Sequence, residues 1–102
     1  MKKIRMRFRA KAKGDIVKVI GLIKHPNLTY IMAKKQHKEV NFLTYIKATH
    51  NGEVVYEAST SQFLSKDPVL KFAFKGGKKG DVVEVYVRDL KGNEGTKKVK
   101  IK

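Results

Sequence analysis

The sequence predicts an all-β protein, an antiparallel sandwich of about seven short strands. Three observations support this class. Apolar and polar residues alternate with a period of two in several stretches, which is the pattern of half-buried strands. Clusters of glycine, proline, asparagine and aspartate separate these stretches at short intervals, as turns do. No stretch shows a clear helical period, so two stacked sheets are the predicted architecture.

The clearest pair of strands lies in residues 65–93. The first strand places three apolar side chains on one face, namely Leu70, Phe72 and Phe74. The second strand does the same with Val83, Val85 and Val87. The glycine-rich segment between them, residues 76–81, is interpreted as a hairpin turn with a basic tip at Lys78 and Lys79. Two adjacent strands of this kind are predicted to form the centre of an antiparallel sheet that another layer covers.

The N-terminal stretch alternates apolar residues with a series of bases that includes Arg5, Arg7 and Arg9. It is predicted to be an edge strand whose charges prevent aggregation, and a phosphate-binding stripe is the alternative. After a tight turn at residues 13–15, residues 16–24 predict a second strand that is apolar on nearly both faces and therefore central. The segment that ends this strand is His25, Pro26 and Asn27, because proline lacks the N–H that a strand ladder needs.

The middle of the chain predicts a loop and a hairpin. Residues 28–40 show no period of two and are predicted to form a long loop or a ragged sheet edge. Residues 41–59 predict a hairpin around Asn51 and Gly52. A two-residue loop would put apolar residues on the same face as two glutamates, whereas a three-residue loop over residues 50–52 separates them. We therefore expect the longer loop, with Gly52 as a left-handed bulge, and one face made of Thr44, Ile46, Ala48, Val54, Tyr56 and Ala58.

Residues 95–102 predict a last strand with Val99 and Ile101 facing inward. A chain of 102 residues can bury one core, which predicts a single domain over residues 1–102. No apolar run approaches the length of a membrane span, and residues 1–13 lack the apolar run of a signal peptide. The sequence alone therefore predicts a cytoplasmic protein without membrane contact.

The net charge of +15 is the strongest signal in the composition, with 24 Lys and Arg against 9 Asp and Glu. Such an excess favours an acidic partner, either a nucleic acid, an anionic membrane, an acidic protein or an anionic small molecule. The alternative is a lysine surface that only keeps the protein soluble, since arginine, which binds phosphate with two hydrogen bonds, is rare here. The two clusters expected to have an electrostatic role are Arg5, Arg7 and Arg9, and Lys78 and Lys79.

Residues typical of catalysis are sparse. The chain has no cysteine, and its histidines, at positions 25, 37 and 50, lie in separate turns without metal-ligand spacing. The acidic residues lie mostly at turns, where they hydrogen-bond the local backbone. We therefore expect no enzyme activity, no metal and no cofactor.

Several ordered segments resemble the SoxZ family. They are residues 13–19 (KGDIVKV), 22–26 (LIKHP), 49–58 (THNGEVVYEA), 65–76 (SKDPVLKFAFKG), 79–81 (KGD) and 89–92 (DLKG). The order and spacing are similar from residue 3 to the end of the chain, and the run at 65–76 is the most specific part. The chain departs from the family pattern after Pro26 and before Ser65, and both places lie beside expected partner contacts.

The resemblance implies an immunoglobulin-like sandwich that pairs with SoxY, the subunit that holds the sulfur substrate on a cysteine of a glycine-flanked C-terminal arm. It also implies a non-catalytic role, contact with sulfur-oxidising enzymes through the carrier complex, and a periplasmic location reached together with an exported partner. Alone, the chain is expected to self-associate through exposed strand edges. Partner contacts are expected near the matched segments, at His25, Pro26, Asn27, Tyr45, Lys66 and Pro68.

Two other functions stay open on the sequence alone. The charge and the basic first strand fit a nucleic-acid-binding β domain. Against that function, few aromatic residues stand among the bases, where proteins that bind single strands need stacking platforms. The other function is that of a general adhesion or sandwich module. A neighbouring gene for a protein that ends in a glycine-flanked cysteine would favour the carrier subunit over both.

Overall fold

The computed structural model describes residues 4–25, 34–35, 41–59 and 68–102. Within these residues, seven strands form two antiparallel sheets, which confirms the predicted all-β sandwich. The strands are β1 (Arg5–Lys13), β2 (Ile16–Lys24), β3 (Leu43–His50), β4 (Glu53–Ser59), β5 (Val69–Lys75), β6 (Val82–Asp89) and β7 (Glu94–Lys100).

The strands are divided between a three-stranded sheet, in the order β1-β2-β5, and a four-stranded sheet, in the order β4-β3-β6-β7. Immunoglobulin-like sandwiches likewise keep the first, second and fifth strands in one sheet and the third, sixth and seventh in the other. In this chain the fourth strand pairs with the third. The predicted edge position of β1 and central position of β2 are both confirmed.

The core lies between the two sheets and consists mostly of β-branched side chains. The central strands β2 and β6 contribute side chains that are at most 1% exposed, namely Val17, Val19, Ile23, Val83, Val85 and Val87. From β5, Phe74 is buried, and the ring of Phe72 stacks on Tyr56 with 4.9 Å between the ring centres. Val99 and Ile101 are also buried. The inward faces predicted from the period of two are therefore confirmed for β5, β6 and the C-terminal stretch.

The connection between β5 and β6 is not a hairpin turn, so this part of the prediction is wrong. β5 pairs with β2 at the edge of the three-stranded sheet, whereas β6 lies between β3 and β7 in the other sheet. Residues 76–81 cross from one sheet to the other, with φ of 93° at Gly76 and 94° at Gly80. The period of two shows which side chains face inward, but it does not identify the hydrogen-bonded neighbour of a strand.

The β3–β4 hairpin has a two-residue turn, so the predicted three-residue loop is also wrong. His50 pairs with Glu53 across the turn. Both turn residues have positive φ, 50° at Asn51 and 80° at Gly52, as a type I′ turn requires. This turn follows the right-handed twist of the two strands, and asparagine followed by glycine is its preferred sequence.

A β-bulge close to this turn produces the apolar face that the longer loop was expected to give. Thr49 pairs with Val54, but Ala48 pairs with Tyr56, so Val55 is the additional residue. The extra residue brings Tyr56 to the same face as Ala48 and turns Glu57 outward, opposite Lys47. Contrary to the prediction, Val54 is 53% exposed, and Val55 packs against the core instead.

Within the loop predicted at residues 28–40, the structure describes Lys34 and Lys35, which are helical and exposed. The other residues of that stretch lie outside the described part of the chain, as do residues 60–67. Among the residues that the structure describes, no helix is long and apolar enough to cross a membrane.

Candidate interaction surface

The outward face of the three-stranded sheet carries nine bases and no acid. These bases alternate with core residues along the strands, so the pleat of the sheet directs them to solvent. We call this surface the basic face, and its charged members are Arg5, Arg7, Arg9, Lys11, Lys13, Lys18, Lys24, Lys71 and Lys75. Over the described ranges, none of them forms an ion pair. Their charge is therefore not neutralised locally.

Apolar side chains occupy the middle of the basic face. Ile20 is 45% exposed and Val69 is 60% exposed. Val69 lies opposite Leu22 in the sheet, and Arg7 lies opposite Leu22 on its other side. An apolar centre with a charged rim is the usual anatomy of a protein–protein contact. Because the rim is entirely basic, the complementary surface should be acidic.

The outward face of the four-stranded sheet, which we call the mixed face, carries both signs of charge. The hydroxyl of Tyr45 donates a hydrogen bond to Glu57, and that of Tyr86 donates to Glu94 over 3.0 Å. The guanidinium of Arg88 lies 5.6 Å from the centre of the Tyr45 ring. The bond to Glu57 raises the pKa of Tyr45, and burial together with Glu94 raises the pKa of Tyr86. Polar groups on the mixed face therefore contact one another, unlike those on the basic face.

His25 joins the two sheets at one end of the sandwich. Its side chain is 3% exposed, and its Nε2 lies 3.0 Å from Oδ2 of Asp89. The side-chain amides of Asn41 and Asn93 donate to the same oxygen over 3.0 and 2.9 Å. Burial alone would raise the pKa of Asp89, but these hydrogen bonds outweigh burial and hold that pKa below its ordinary value. The carboxylate thus connects the end of β2 to the end of β6.

A second histidine–aspartate pair lies at the start of β6. The Nε2 of His50 lies 2.8 Å from Oδ2 of Asp81, and the backbone N–H of Lys78 donates to the same oxygen over 3.2 Å. The bond to His50, followed by the bond from Lys78, lowers the pKa of Asp81. The ring of His50 also lies 5.1 Å from that of Phe74, centre to centre. This pair connects the end of β3 to the crossover that follows β5.

Three of the six predicted partner contacts, Pro26, Asn27 and Lys66, lie outside the described residues. His25 and Pro68 are buried, and the carbonyl of Pro68 accepts a hydrogen bond from the N–H of Ile23 over 3.0 Å. Tyr45 lies on the mixed face. The structure therefore does not place the described members of this set on one surface, and their contact with a partner stays a prediction.

The two predicted electrostatic clusters lie apart. Arg5, Arg7 and Arg9 are neighbours on the basic face. Lys78 and Lys79 are exposed in the crossover between the sheets. The next residue of that crossover, Gly80, donates a backbone hydrogen bond to Ile101 over 2.8 Å. Ile101 lies beside Ala10, so the turn lysines are nearer the end of β1 that is remote from Arg5.

Sequence reasoning missed the two histidine–aspartate pairs, because 64 and 31 residues separate their members. A useful signal was present, since both aspartates flank a strongly apolar strand. Both carboxylates also accept backbone N–H groups, from Lys78 and Asn93, as expected for aspartates at turns. In the part of the chain that the structure describes, no group of three or more metal-ligating side chains could hold a metal ion. His37 lies outside that part.

Comparison with known proteins supplies a family and a fold. A family model described as SoxZ, sulphur oxidation protein SoxZ, matches residues 4–100. No curated protein sequence matches the chain. A superoxide reductase in the oxidised state is similar in structure, with a TM-score of 0.67 and 16% identity over 99% of this chain and 90% of that one. A hypothetical protein from Pyrococcus horikoshii OT3 is similar with a TM-score of 0.68, 16% identity and the same coverage of both chains. At this identity the two structures are evidence for the fold alone.

Proposed function

Since the chain belongs to the SoxZ family and is thus a subunit of a sulfur-oxidation system, we propose that it is the non-catalytic half of a SoxYZ-type sulfur carrier. It pairs in this proposal with a SoxY-like protein whose C-terminal cysteine arm bears the sulfur substrate while sulfur-oxidising enzymes act on it. The observation that carries the proposal is the extent of the family match, because residues 4–100 include all seven strands.

The composition of the chain agrees with a division of labour between two subunits. This chain has no cysteine, so a covalently held sulfur must be attached to a thiol of the partner. What this chain offers is a positively charged surface. An anionic sulfur group on a mobile arm is attracted to such a surface over about 8–10 Å at physiological salt. The charge therefore favours the loaded arm near the body of the carrier.

The basic face is the surface that we assign to the acidic partner. Its apolar centre at Ile20, Leu22 and Val69 supplies area for burial, and its unpaired bases supply electrostatic complementarity. The mixed face is less suited, because its charged groups contact one another. The location we propose is the periplasm, which the chain reaches by export together with its partner.

A co-purification experiment tests the pairing. The chain is co-expressed with a SoxY-like protein from the same organism, and the complex is analysed on a sizing column. We expect a stable heterodimer from the wild type. A Val69→Glu substitution places a carboxylate in the apolar centre of the basic face, and we expect it to weaken the complex by about tenfold or more, the usual loss at a buried interface position.

The matched control is Val54→Glu, which alters an equally exposed valine on β4, in the other sheet. We expect this variant to bind the partner as the wild type does. Absence of any complex with the wild type would remove the carrier-subunit proposal. Equal binding by the wild type and Val69→Glu would leave the pairing intact but remove the basic face as its site.

A nucleic-acid-binding function is the alternative that the charge favours. The outward positions of β1, β2 and β5 hold no aromatic residue, so the basic face lacks the stacking platforms that sequence-tolerant binding of single strands uses. A single-stranded oligonucleotide is the appropriate probe. Binding that is tighter than that of a comparably basic control protein would favour this alternative over the carrier subunit.

A further inference from the structure

β1 and the C-terminal stretch approach each other where the two sheets meet, and they are bonded at both ends of the contact. At one end the N–H of Ile4 donates to the carbonyl of Glu94 over 2.9 Å. At the other end the N–H of Ala12 donates to the carbonyl of Lys102 over 2.9 Å, and the N–H of Lys102 donates to Ala10 over 3.0 Å. The chain length from Ile4 to Ala12 equals that from Glu94 to Lys102, so the two ends of the contact share one parallel register. We call this line of contact the seam.

The middle of the seam is open. Ile23 donates its N–H to Pro68, on the β5 side of the sheet. In an antiparallel ladder the residue opposite Ile23, which is Met6, must therefore direct its own N–H and C=O away from β2 and toward the seam. The same alternation applies to Phe8. Among the described residues, β1 forms a ladder with β2 alone, and the isolated bridge across the seam joins Ala10 to Ile101, so neither Met6 nor Phe8 is paired across the seam.

The side chain of Lys97 explains why the seam does not close. Lys97 pairs with the buried Val85, so its register position on β7 is an inward one, yet it is exposed. An ammonium at such a position requires water, and a closed ladder would remove that water. The ring of Phe8 occupies the space above Gly21, where an added Cβ would lie 2.1 Å from the ring. The ring therefore leans over β2 and does not fill the space between β1 and β7.

The open part of the seam is a groove with a definite chemical character. Arg7 and Lys97 line two adjoining hollows, of which the first follows the seam and the second extends from it over Ile20, Leu22 and Val69 of the basic face. The first also contacts Arg5 and Lys24, and the second contacts Arg9 and Phe8. No acidic side chain lines either hollow. The groove thus combines free backbone donors and acceptors with cations on both walls and an aromatic side chain.

We propose that this groove binds an extended acidic segment of a partner protein by strand addition to the open part of the β1 edge, at Met6 and Phe8. An added strand satisfies the N–H and C=O groups of Met6 and Phe8, and its alternate side chains reach the cations on the walls. Acidic residues at those alternate positions would be paired by Arg7 and Lys97. This inference goes beyond membership of a carrier complex, because it assigns a conformation and a charge pattern to the bound segment.

Amide hydrogen exchange with a synthetic peptide tests the proposal. The probe is an acetylated peptide of alternating glutamate and valine, about five residues long, which matches the open part of the seam between the bonded ends at Ile4 and Ala10. We expect saturable binding to the wild-type chain and exchange at the amides of Met6 and Phe8 that is slower by about tenfold or more in its presence. An Arg7→Glu substitution should weaken binding by about tenfold, because it reverses a charge that lines the whole groove.

The matched control is Lys100→Glu, an equal charge reversal on the mixed face, which should leave binding unchanged. A peptide that binds without protecting Met6 and Phe8 would show attraction to the surface charge alone and would overturn strand addition. Protection of the same amides by raised protein concentration without peptide would identify a second copy of this chain as the occupant and also overturn it. Tighter binding of an oligothymidine than of the peptide would do the same. None of these results depends on a SoxY-like partner, so they are distinct from a failure to form the carrier complex.

Discussion

Two histidine–aspartate pairs connect the two ends of β6 to the ends of β3 and β2. Asp81 precedes β6 and contacts His50 at the end of β3, and Asp89 ends β6 and contacts His25 just after β2. The pairs differ in burial, since the side chain of Asp89 is 1% exposed and that of Asp81 is 29% exposed. Donors that lose a buried acceptor cannot turn to water instead. The Asp89 pair should therefore contribute more to stability.

An Asp89→Asn substitution tests the contribution of the buried pair. The amide removes the charge that His25, Asn41 and Asn93 now solvate, and it directs an N–H group at donors. We expect a decrease in the free energy of unfolding of about 1–3 kcal/mol, the usual loss when buried polar groups lose a partner. Urea denaturation near neutral pH measures it. The control is Asp15→Asn in the exposed turn between β1 and β2, which should be close to neutral.

The pH dependence of stability gives a second test of the same carboxylate. The pKa of Asp89 is lower in the folded state than its ordinary value, which is about 3.9 for an unperturbed aspartate. As pH falls below about 4, the unfolded state therefore takes up the proton first, and the stability from this group is lost progressively. We expect the difference in unfolding free energy between the wild type and Asp89→Asn to shrink as pH falls through this range. A difference that is constant from neutral to acid pH would contradict this assignment.

The strands could be predicted from the sequence, whereas the pairing between them could not. A strand's inward face depends on its own residues, and the predicted bounds of β2, residues 16–24, are those observed. The partner of a strand depends on long-range packing, so β5 was placed beside β6 instead of beside β2. The hairpin error arose because a bulge at Val55 changes the face of a strand without any sequence signal of its own. The basic face could be predicted in part from the alternation in β1. The open seam could not be predicted, because it depends on the pairing of β7 with β6, which puts Lys97 at an inward register position.

Gly95 provides a test of the closed end of the seam. A Cβ at this position would lie 2.4 Å from the carbonyl oxygen of Ile4 and 3.0 Å from its Cβ. Because that oxygen belongs to the backbone, a Gly95→Ala substitution must displace β1 from β7 and break the bond between Ile4 and Glu94. We expect a loss of about 1–3 kcal/mol of unfolding free energy, as for other overpacked sites. Urea denaturation measures the loss, and the control is Thr96→Ala at the exposed neighbouring position, which should change stability by less than about 1 kcal/mol. An unchanged stability of Gly95→Ala would contradict the close approach of the two strands.

The molecule as a whole has a strongly asymmetric charge distribution. The acidic residues of the strands, Glu53, Glu57, Glu84, Asp89 and Glu94, belong to the four-stranded sheet. The three-stranded sheet has bases only. Among the described strand residues, positive charge is therefore concentrated on one side of the sandwich. Such an asymmetry orients an approaching acidic protein before contact, which changes the association rate more than the final affinity.

Charge reversal on each face tests whether this asymmetry has a function. One variant replaces Arg5, Arg7 and Arg9 on the basic face with glutamate, and the control replaces Lys47, Lys98 and Lys100 on the mixed face. Both variants lower the net charge equally, so any difference between them reports where the charge lies. In the assembled carrier with its sulfur-oxidising enzymes, we expect the first variant to slow turnover of carrier-bound sulfur at low salt, and the control to have a much smaller effect. A further variant that reverses Lys78 and Lys79 tests the turn cluster in the same assay.

Added salt distinguishes long-range electrostatic steering by the basic face from a direct contact with the partner in this assay. Ions screen exposed charges over about 10 Å at 0.1 M ionic strength and over about 3 Å at 1 M. If the basic face steers acidic enzymes, the rates of the wild type and the first variant should converge as salt is added. A deficit that persists at high salt would instead indicate a direct contact between the replaced arginines and the partner. Equal, salt-insensitive turnover by all the variants and the wild type would show that the bases only keep the protein soluble, because a field that has no effect at low salt has no role in steering.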